Sequence, residues 1–430
     1  MKKTLILLAC SLILLETMAQ DSQKDGYNLG ALPAISYNSD EGFQYGAIVN
    51  LFNYGDGTSY PQYKQSYYLE FSKYTKGSTV GRFYFDSEYL IKGIRTFADV
   101  SYITEDMLDF YGYNGYKSDY SNLRADNNRA FYRMSQKQFR ILADFKGKLP
   151  INKLFWVASY NLVDYANSAV NYTKLNTNQD YPDLTPGESL YEKYINWGII
   201  SPKESDGGLV SALKAGIVYD SRKVLNNPSS GISTEALIEV APGFMNESPY
   251  ARYSLLHRHY QSILKDRLNL AIRVGVQGKI GTDKIPFYRN TVLMSPFATR
   301  TSPNGLGGAS SVRGMLRNRV VGDAFALGNI ELRWKALVFK LINQNFYIGI
   351  NGFMDSGYIL DPFDWDLSNV SVADASDYFN LDDADGLHTT LGGGIKLVMN
   401  QNFIVSCELG KTLNKKDGEK GMYINLNYLF

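Results

Sequence analysis

The sequence predicts an all-β protein, a transmembrane antiparallel β-barrel of about 16 strands. Three observations predict it. Stretches with two-residue alternation recur along the chain, the composition is rich in the aromatic residues that mark membrane interfaces, and the N-terminus has the form of an export signal.

The N-terminus sets the compartment. Lys2 and Lys3 form a positive n-region, Thr4 to Leu15 an apolar h-region, and Thr17-Met18-Ala19 supplies small residues for cleavage. Residues 1–19 are therefore expected to be a secretory signal peptide and are left out of the fold argument. Length excludes a spanning helix, because the apolar run holds only twelve residues where a bilayer needs about 20. A lipoprotein box at Leu7-Leu8-Ala9-Cys10 is the rival reading. It would leave an h-region of six residues and strand Leu12 to Leu15 in the mature chain, and it is set aside. Residues 20–28 are too short for a domain and read as a periplasmic arm; residues 29–430 read as the barrel.

Composition argues next. The mean hydropathy of −0.25 suggests on its own an exported soluble protein. Barrel strands escape hydropathy, however, because apolar and polar residues alternate along them. Tyr 33, Phe 22 and Gly 38 in 430 residues supply what aromatic girdles at two membrane interfaces need. A net charge of +1 leaves no case for nucleic acid. Once the signal is removed, Cys407 is the one remaining cysteine, so no internal disulfide forms; it reads as a small apolar filler.

Alternation is then tested residue by residue. In 421–430, Met422, Ile424, Leu426, Tyr428 and Phe430 share one face, against Tyr423, Asn425, Asn427 and Leu429. A greasy face opposite a mostly polar one suits a strand between lipid and a wet lumen. Tyr347 to Gly357 repeats the pattern, with Ile348, Ile350 and Met354 against Asn351 and Asp355. So does Arg82 to Leu90, where Phe83 and Phe85 oppose Arg82 and Asp86. A soluble sandwich alternates as well. It has no reason to close on an aromatic strand such as Gly421–Tyr428–Phe430, which looks like the terminal signal barrels present to their assembly machinery.

Strand number follows from length. Roughly 400 residues accommodate about sixteen strands of about 9–11 residues and leave the remainder for loops. Tyr111–Arg129, Asn167–Asp206 and Asp361–Leu387 read as long extracellular loops, Lys265-Asp266 and Asn400-Gln401-Asn402 as periplasmic turns.

Enzymatic chemistry finds little support. His257 and His259 would share one strand face, but no Cys or acid cluster accompanies them, and a pair of polar wall residues is the simpler reading. No nucleophile elbow, phosphate loop or metalloprotease motif is present, and no cofactor is expected.

Motifs across nearly the whole mature chain carry a resemblance to a known family. They are Ser310-Ser311-Val312-Arg313-Gly314 followed by Glu331-Leu332-Arg333-Trp334; Leu32-Pro33-Ala34 through Gly42-Phe43-Gln44-Tyr45-Gly46; and Tyr219-Asp220-Ser221-Arg222 with Pro228 and Gly231. Together they resemble the BamA/TamA family, the bacterial surface antigen superfamily of outer-membrane assembly and translocation barrels. Phe110 to Gly115 departs from the family's corresponding motif in its last two positions. The resemblance is to a barrel-only member, without the family's periplasmic POTRA modules.

The resemblance implies that the loop Arg289–Gly322 folds back into the lumen, anchored by Ser311, Val312, Arg313 and Gly314. It also implies that Glu331 and Asp355 receive Arg313. Alternation independently points both acids inward, Glu331 with Asn329 and Arg333, Asp355 with Asn351. Arginine suits the role because its planar fork binds carboxylates bidentately and stays charged. The bland alternative is that Arg313 caps a solvated extracellular turn. Asp220 and Arg222 face the lumen by the same alternation and can be plain wall charges. Pro33, which removes a ladder donor, marks either a weak seam between the first and last strands or simply the start of a strand.

In function, the resemblance implies assembly, insertion or translocation of client polypeptides at the outer membrane of a Gram-negative bacterium. The chain would be the membrane part of a multi-chain system with periplasmic or lipoprotein partners, embedded in outer-membrane lipid. The alternatives are a passive pore and a structural or receptor barrel whose long loops bind a ligand.

Overall fold

The computed structural model describes residues 24–60, 62–176, 185–297, 305–382, 384–400, 403–426 and 428–430. The expected signal peptide, and most of the arm after it, lie outside the described residues. Sixteen strands form one closed antiparallel barrel in which each strand pairs with its sequence neighbours and the last returns to the first. They are β1 Tyr27–Asn38, β2 Gly42–Asn53, β3 Gln65–Tyr74, β4 Thr79–Ile91, β5 Ile94–Asp109, β6 Arg133–Lys148, β7 Leu154–Ser168 and β8 Gly207–Asp220. The circuit continues through β9 Gly231–Ala241, β10 Tyr250–Leu264, β11 Leu268–Ile280, β12 Ala324–Leu341, β13 Gln344–Asp361, β14 His388–Met399, β15 Phe403–Thr412 and β16 Lys420–Leu426. The barrel begins two residues before Leu29, within the segment expected to be the arm.

Polarity is inverted relative to a soluble protein. Along β12, Ile330, Leu332 and Trp334 are 42%, 47% and 49% exposed, while Asn329, Glu331 and Arg333 are 0%, 0% and 4%. Such a greasy outer surface is far larger than a water-soluble monomer tolerates, and lipid is the solvent that stabilises it. The inner charges are held by one another instead.

Short turns close one end. Asp266 and Asn400 adopt left-handed backbone there (φ 58° and 49°), the conformation Asp and Asn tolerate best among residues with a Cβ. The opposite end carries the long connections 110–132, 169–206, 281–323 and 362–387. Much of the tyrosine excess goes to this end rather than to membrane girdles. Phe110, Tyr113, Tyr194, Trp197, Phe287 and Phe379 pack into one aromatic core that roofs the barrel. The segment Leu190–Asn196 is helical because Ser189 and Glu192 form a reciprocal capping box. His388 pins the roof to the β15–β16 hairpin: Nδ1 lies 2.7 Å from Asp417 and Nε2 3.0 Å from Asp385, beneath the ring of Tyr116.

One expectation about the last strand is overturned. β16 ends at Leu426, and Tyr428 and Phe430 leave the face shared by Met422, Ile424 and Leu426 to turn into the lumen. The cause is electrostatic. The Tyr428 ring meets the Arg333 guanidinium at 4.1 Å and the Lys396 ammonium at 4.4 Å. Phe430 lies 5.2 Å from both Arg273 and Arg333. Cations over aromatic faces are strongest where water is excluded, and the lumen supplies them.

Candidate functional site in the lumen and at the strand seam

The connection between β11 and β12 dips inside the barrel as a hairpin closed by the bridge Leu306↔Val320. Ser311 ties its turn: the hydroxyl lies 3.0 Å from both Gly305 O and Gly307 O and accepts the Gly307 N–H at 2.9 Å. Val312 is wholly buried with Leu306, Met315 and Phe325, so an apolar plug fixes the hairpin before any charge is considered.

Arg313 then reaches the wall. Nε and Nη2 donate to the two oxygens of Asp355 at 2.8 and 3.1 Å, the bidentate fork, and the Arg313 backbone N–H adds a third bond at 3.1 Å. Nη1 donates to Glu408 at 2.7 Å and Glu331 at 3.3 Å. The guanidinium stacks 3.5 Å from the Phe353 ring centre. Sequence reasoning brought Arg313 to Glu331 and Asp355 but missed Glu408, which lies on β15. It also missed Lys396, 2.9 Å from Glu408. Both are buried on the inner face of their strands, and no local signal says which inward charges meet.

Gly314 is required by two constraints. Its φ of 97° disfavours any side chain, and an added Cβ would collide with the Gly410 backbone. Its N–H donates to the Tyr423 hydroxyl at 2.9 Å. Gly314→Ala is accordingly expected to push the hairpin off β15, at a cost of more than ~1 kcal/mol; urea unfolding of the folded barrel measures it.

The strand motif makes a different structure. Asp220 accepts the Arg222 backbone N–H at 3.1 Å and its guanidinium at 3.0 and 2.7 Å, locking the β8–β9 turn to itself. Pro228 is buried, and Gly231 takes φ 104° where it passes Ser221. From this turn Asn227 reaches Tyr347 at 2.7 Å, and Tyr347 lies 3.3 Å from the Tyr428 hydroxyl. His257 meets Thr234 at 2.8 Å, and among the described residues no cluster of metal-ligating side chains forms.

The seam between β1 and β16 is short. β1 pairs with β2 along all twelve of its residues. With β16 it shares, among the described residues, Tyr37↔Ile424 and Asn38↔Tyr423. Just above them, the Ser39 N–H donates to Met422 O at 3.1 Å and the Ser39 hydroxyl accepts the Met422 N–H at 2.8 Å. The direction of the Pro33 edge follows by parity. In an antiparallel strand, successive residues present N–H and C=O to opposite neighbours. Gly26 bonds toward β2 and Ser39 toward β16, and the β1–β2 register runs without a bulge. Odd residues therefore face β16, and the donor missing at Pro33 is one the seam would have used. Gly421 is the second residue of β16, where an added Cβ would run into the Tyr423 hydroxyl.

Behind β1 below Tyr37 lies a cavity of about 340 Å³, lined by Ala34, Ile48, Val80, Ile103, Glu105 and Leu429 among others. Glu41, in the β1–β2 turn at its upper rim, has its pKa pushed up to about 8, first by burial and then by the negative charge of Glu105. An acid held above its ordinary value of 4.5 disfavours the fold increasingly as pH rises through that window to about 8. Glu41→Gln should remove this part of the pH dependence; a thermal-unfolding profile of E41Q that falls with pH as steeply as the parent's would contradict the assignment.

The family described as the Omp85 superfamily domain matches residues 57–428. No curated protein matches the chain. Among solved structures, BamA from Haemophilus ducreyi lacking POTRA domains 1-3 is similar, with a TM-score of 0.57 and 15% identity over 94% of this chain and 71% of that one. CdiB from Escherichia coli is similar with a TM-score of 0.56 and 12% identity, over 94% of this chain and 63% of that one, so less than two thirds of its length is spanned. At such identities the likeness is one of fold.

Proposed function

The chain belongs to the Omp85 superfamily, and from that membership we propose that it handles polypeptides at the outer membrane of a Gram-negative bacterium. The finer reading is a BamA/TamA-type role, in which the barrel assembles or inserts outer-membrane proteins or translocates chains. It would act as the membrane part of a system with periplasmic or lipoprotein partners. Barrels of this superfamily are structural and transport proteins, not enzymes.

The observation that carries the proposal is the seam. A closed barrel is stable because it has no free edge, yet among the described residues this one pairs its first and last strands at two positions. Among the described residues no rung joins β1 to β16 below Tyr37, and a cavity lies behind that stretch. Pro33 keeps its own side of that edge from zipping fully. The aromatic roof over the long-loop end argues against a passive pore.

Reconstitution tests the proposal. Liposomes carrying the barrel should fold an added urea-unfolded outer-membrane protein faster than empty liposomes do. Steady open channels in planar bilayers with no such acceleration would favour the pore. Ligand binding abolished by trimming 362–387 would favour the receptor.

A further inference from the structure

We propose that the lumenal hairpin is a tie across the seam, holding the β1 side and the β16 side together from inside the barrel, with Arg313 and Arg317 as its two ends. The two arginines are four residues apart and grip opposite sides. Arg313 is bound to β12, β13 and β15, and its neighbour Gly314 to Tyr423 of β16. Arg317 donates to Glu105 at 3.1 Å and Asp109 at 2.9 Å on β5, and lies 3.9 Å from Glu41 in the β1–β2 turn. Within the same turn, Asp40 accepts the Ala309 N–H at 3.2 Å. On the other side the Leu316 N–H donates to Asp417 O at 3.0 Å, and Arg319 Nε to Lys416 O at 2.7 Å. One hairpin therefore contacts both strand hairpins that flank the seam.

Relative strength decides what this means. In the wall, the seam is a pair of rungs and one serine exchange, each backbone bond worth little net of water. The hairpin adds buried arginine–carboxylate contacts on either side, where removing one partner leaves the other charge uncompensated. The tie, rather than the ladder, then sets how readily the seam parts. The Arg317 end is the one that lets go. Its contact to the β1–β2 turn is the longer, and two of the acids around it, Glu105 and Asp40, push against Glu41, with Arg133 and Lys76 as the further cations beside them. Each arginine is bidentate on one carboxylate, Arg313 on Asp355 and Arg317 on Glu105, but Arg313 adds its own backbone N–H bond to Asp355 and the Phe353 ring.

This inference deepens the reading of the seam as the working edge, but its mechanical claim needs no client, and its readout uses none. Backbone hydrogen exchange by mass spectrometry on the full folded barrel in detergent compares the parent with Arg317→Gln. Peptides covering 35–41 and 421–426 should exchange at least tenfold faster in R317Q, with β7 to β10 unchanged. Faster exchange confined to 305–320 would overturn the proposal, since Arg317 would then anchor only its own loop. A second variant guards against misfolding. Asp40→Cys with Ala309→Cys, oxidised in the otherwise unaltered chain, should slow exchange at both seam peptides at least tenfold relative to its reduced form. Equal exchange in the two forms would overturn it as well. An assembly assay that fails while seam exchange responds as stated would count against the functional reading alone.

Discussion

Arg313→Leu is expected to destabilise the barrel by about 3–5 kcal/mol, the range for removing one member of a buried charge network. Asp355 suffers most. Glu331 keeps Arg333 and Asn351, and Glu408 keeps Lys396 and Asn351. Asp355 loses both guanidinium bonds and is left with the backbone N–H of position 313. Arg313→Lys should fall between, because an ammonium supplies the charge without the fork. The double change Arg313→Leu with Asp355→Leu should recover part of the loss, since no orphaned carboxylate remains at β13. Urea unfolding followed by the heat-modifiability of the folded band measures all three. A change below ~1 kcal/mol in the single variant would mean that solvent already screens the cluster, as at a surface pair.

Locking the seam is the second large effect. Extending the register of Tyr37↔Ile424 and Asn38↔Tyr423 by one rung sets Ser36 opposite Asn425, and both line the cavity behind the edge. By the parity argued above this is a non-hydrogen-bonded pair, whose Cα atoms approach to about 4.5 Å, within disulfide range. Ser36→Cys with Asn425→Cys, oxidised, should abolish polypeptide assembly, and a reductant should restore it. Full activity of the locked barrel would remove the seam from the mechanism while leaving the fold untouched.

Some of this arrangement was readable from residue order, and some was not. The fold class came from strands such as Tyr347 to Gly357, where side-chain direction is fixed by the pleat alone. Three long loops were readable as polar stretches between alternating runs. What they build was not, because the aromatic roof joins Phe110, Tyr194, Phe287 and Phe379 from four different connections. Phe110 to Gly115 carried little weight as a motif. In the fold it is central: the Asn114 side chain exchanges hydrogen bonds of 2.8 and 2.6 Å with the Phe363 backbone. Arg317 gave no signal beyond being a charge in a loop. The tail misled because alternation assumes the strand continues, and the pull of Arg333 and Lys396 on Tyr428 belongs to other strands.

Residue order by itself determined the barrel: the direction each strand side chain takes, which faces are greasy, and where the chain turns. These depend on a two-residue period that each strand carries locally. Tertiary structure alone decided which inward charges meet, that Arg313 finds Glu408 as well as Asp355 and Glu331, and that Arg317 faces the opposite side. Those meetings depend on the stagger between strands and on closure of the ring, which bring side chains 18 to 212 residues apart within hydrogen-bond reach, and no local period encodes either.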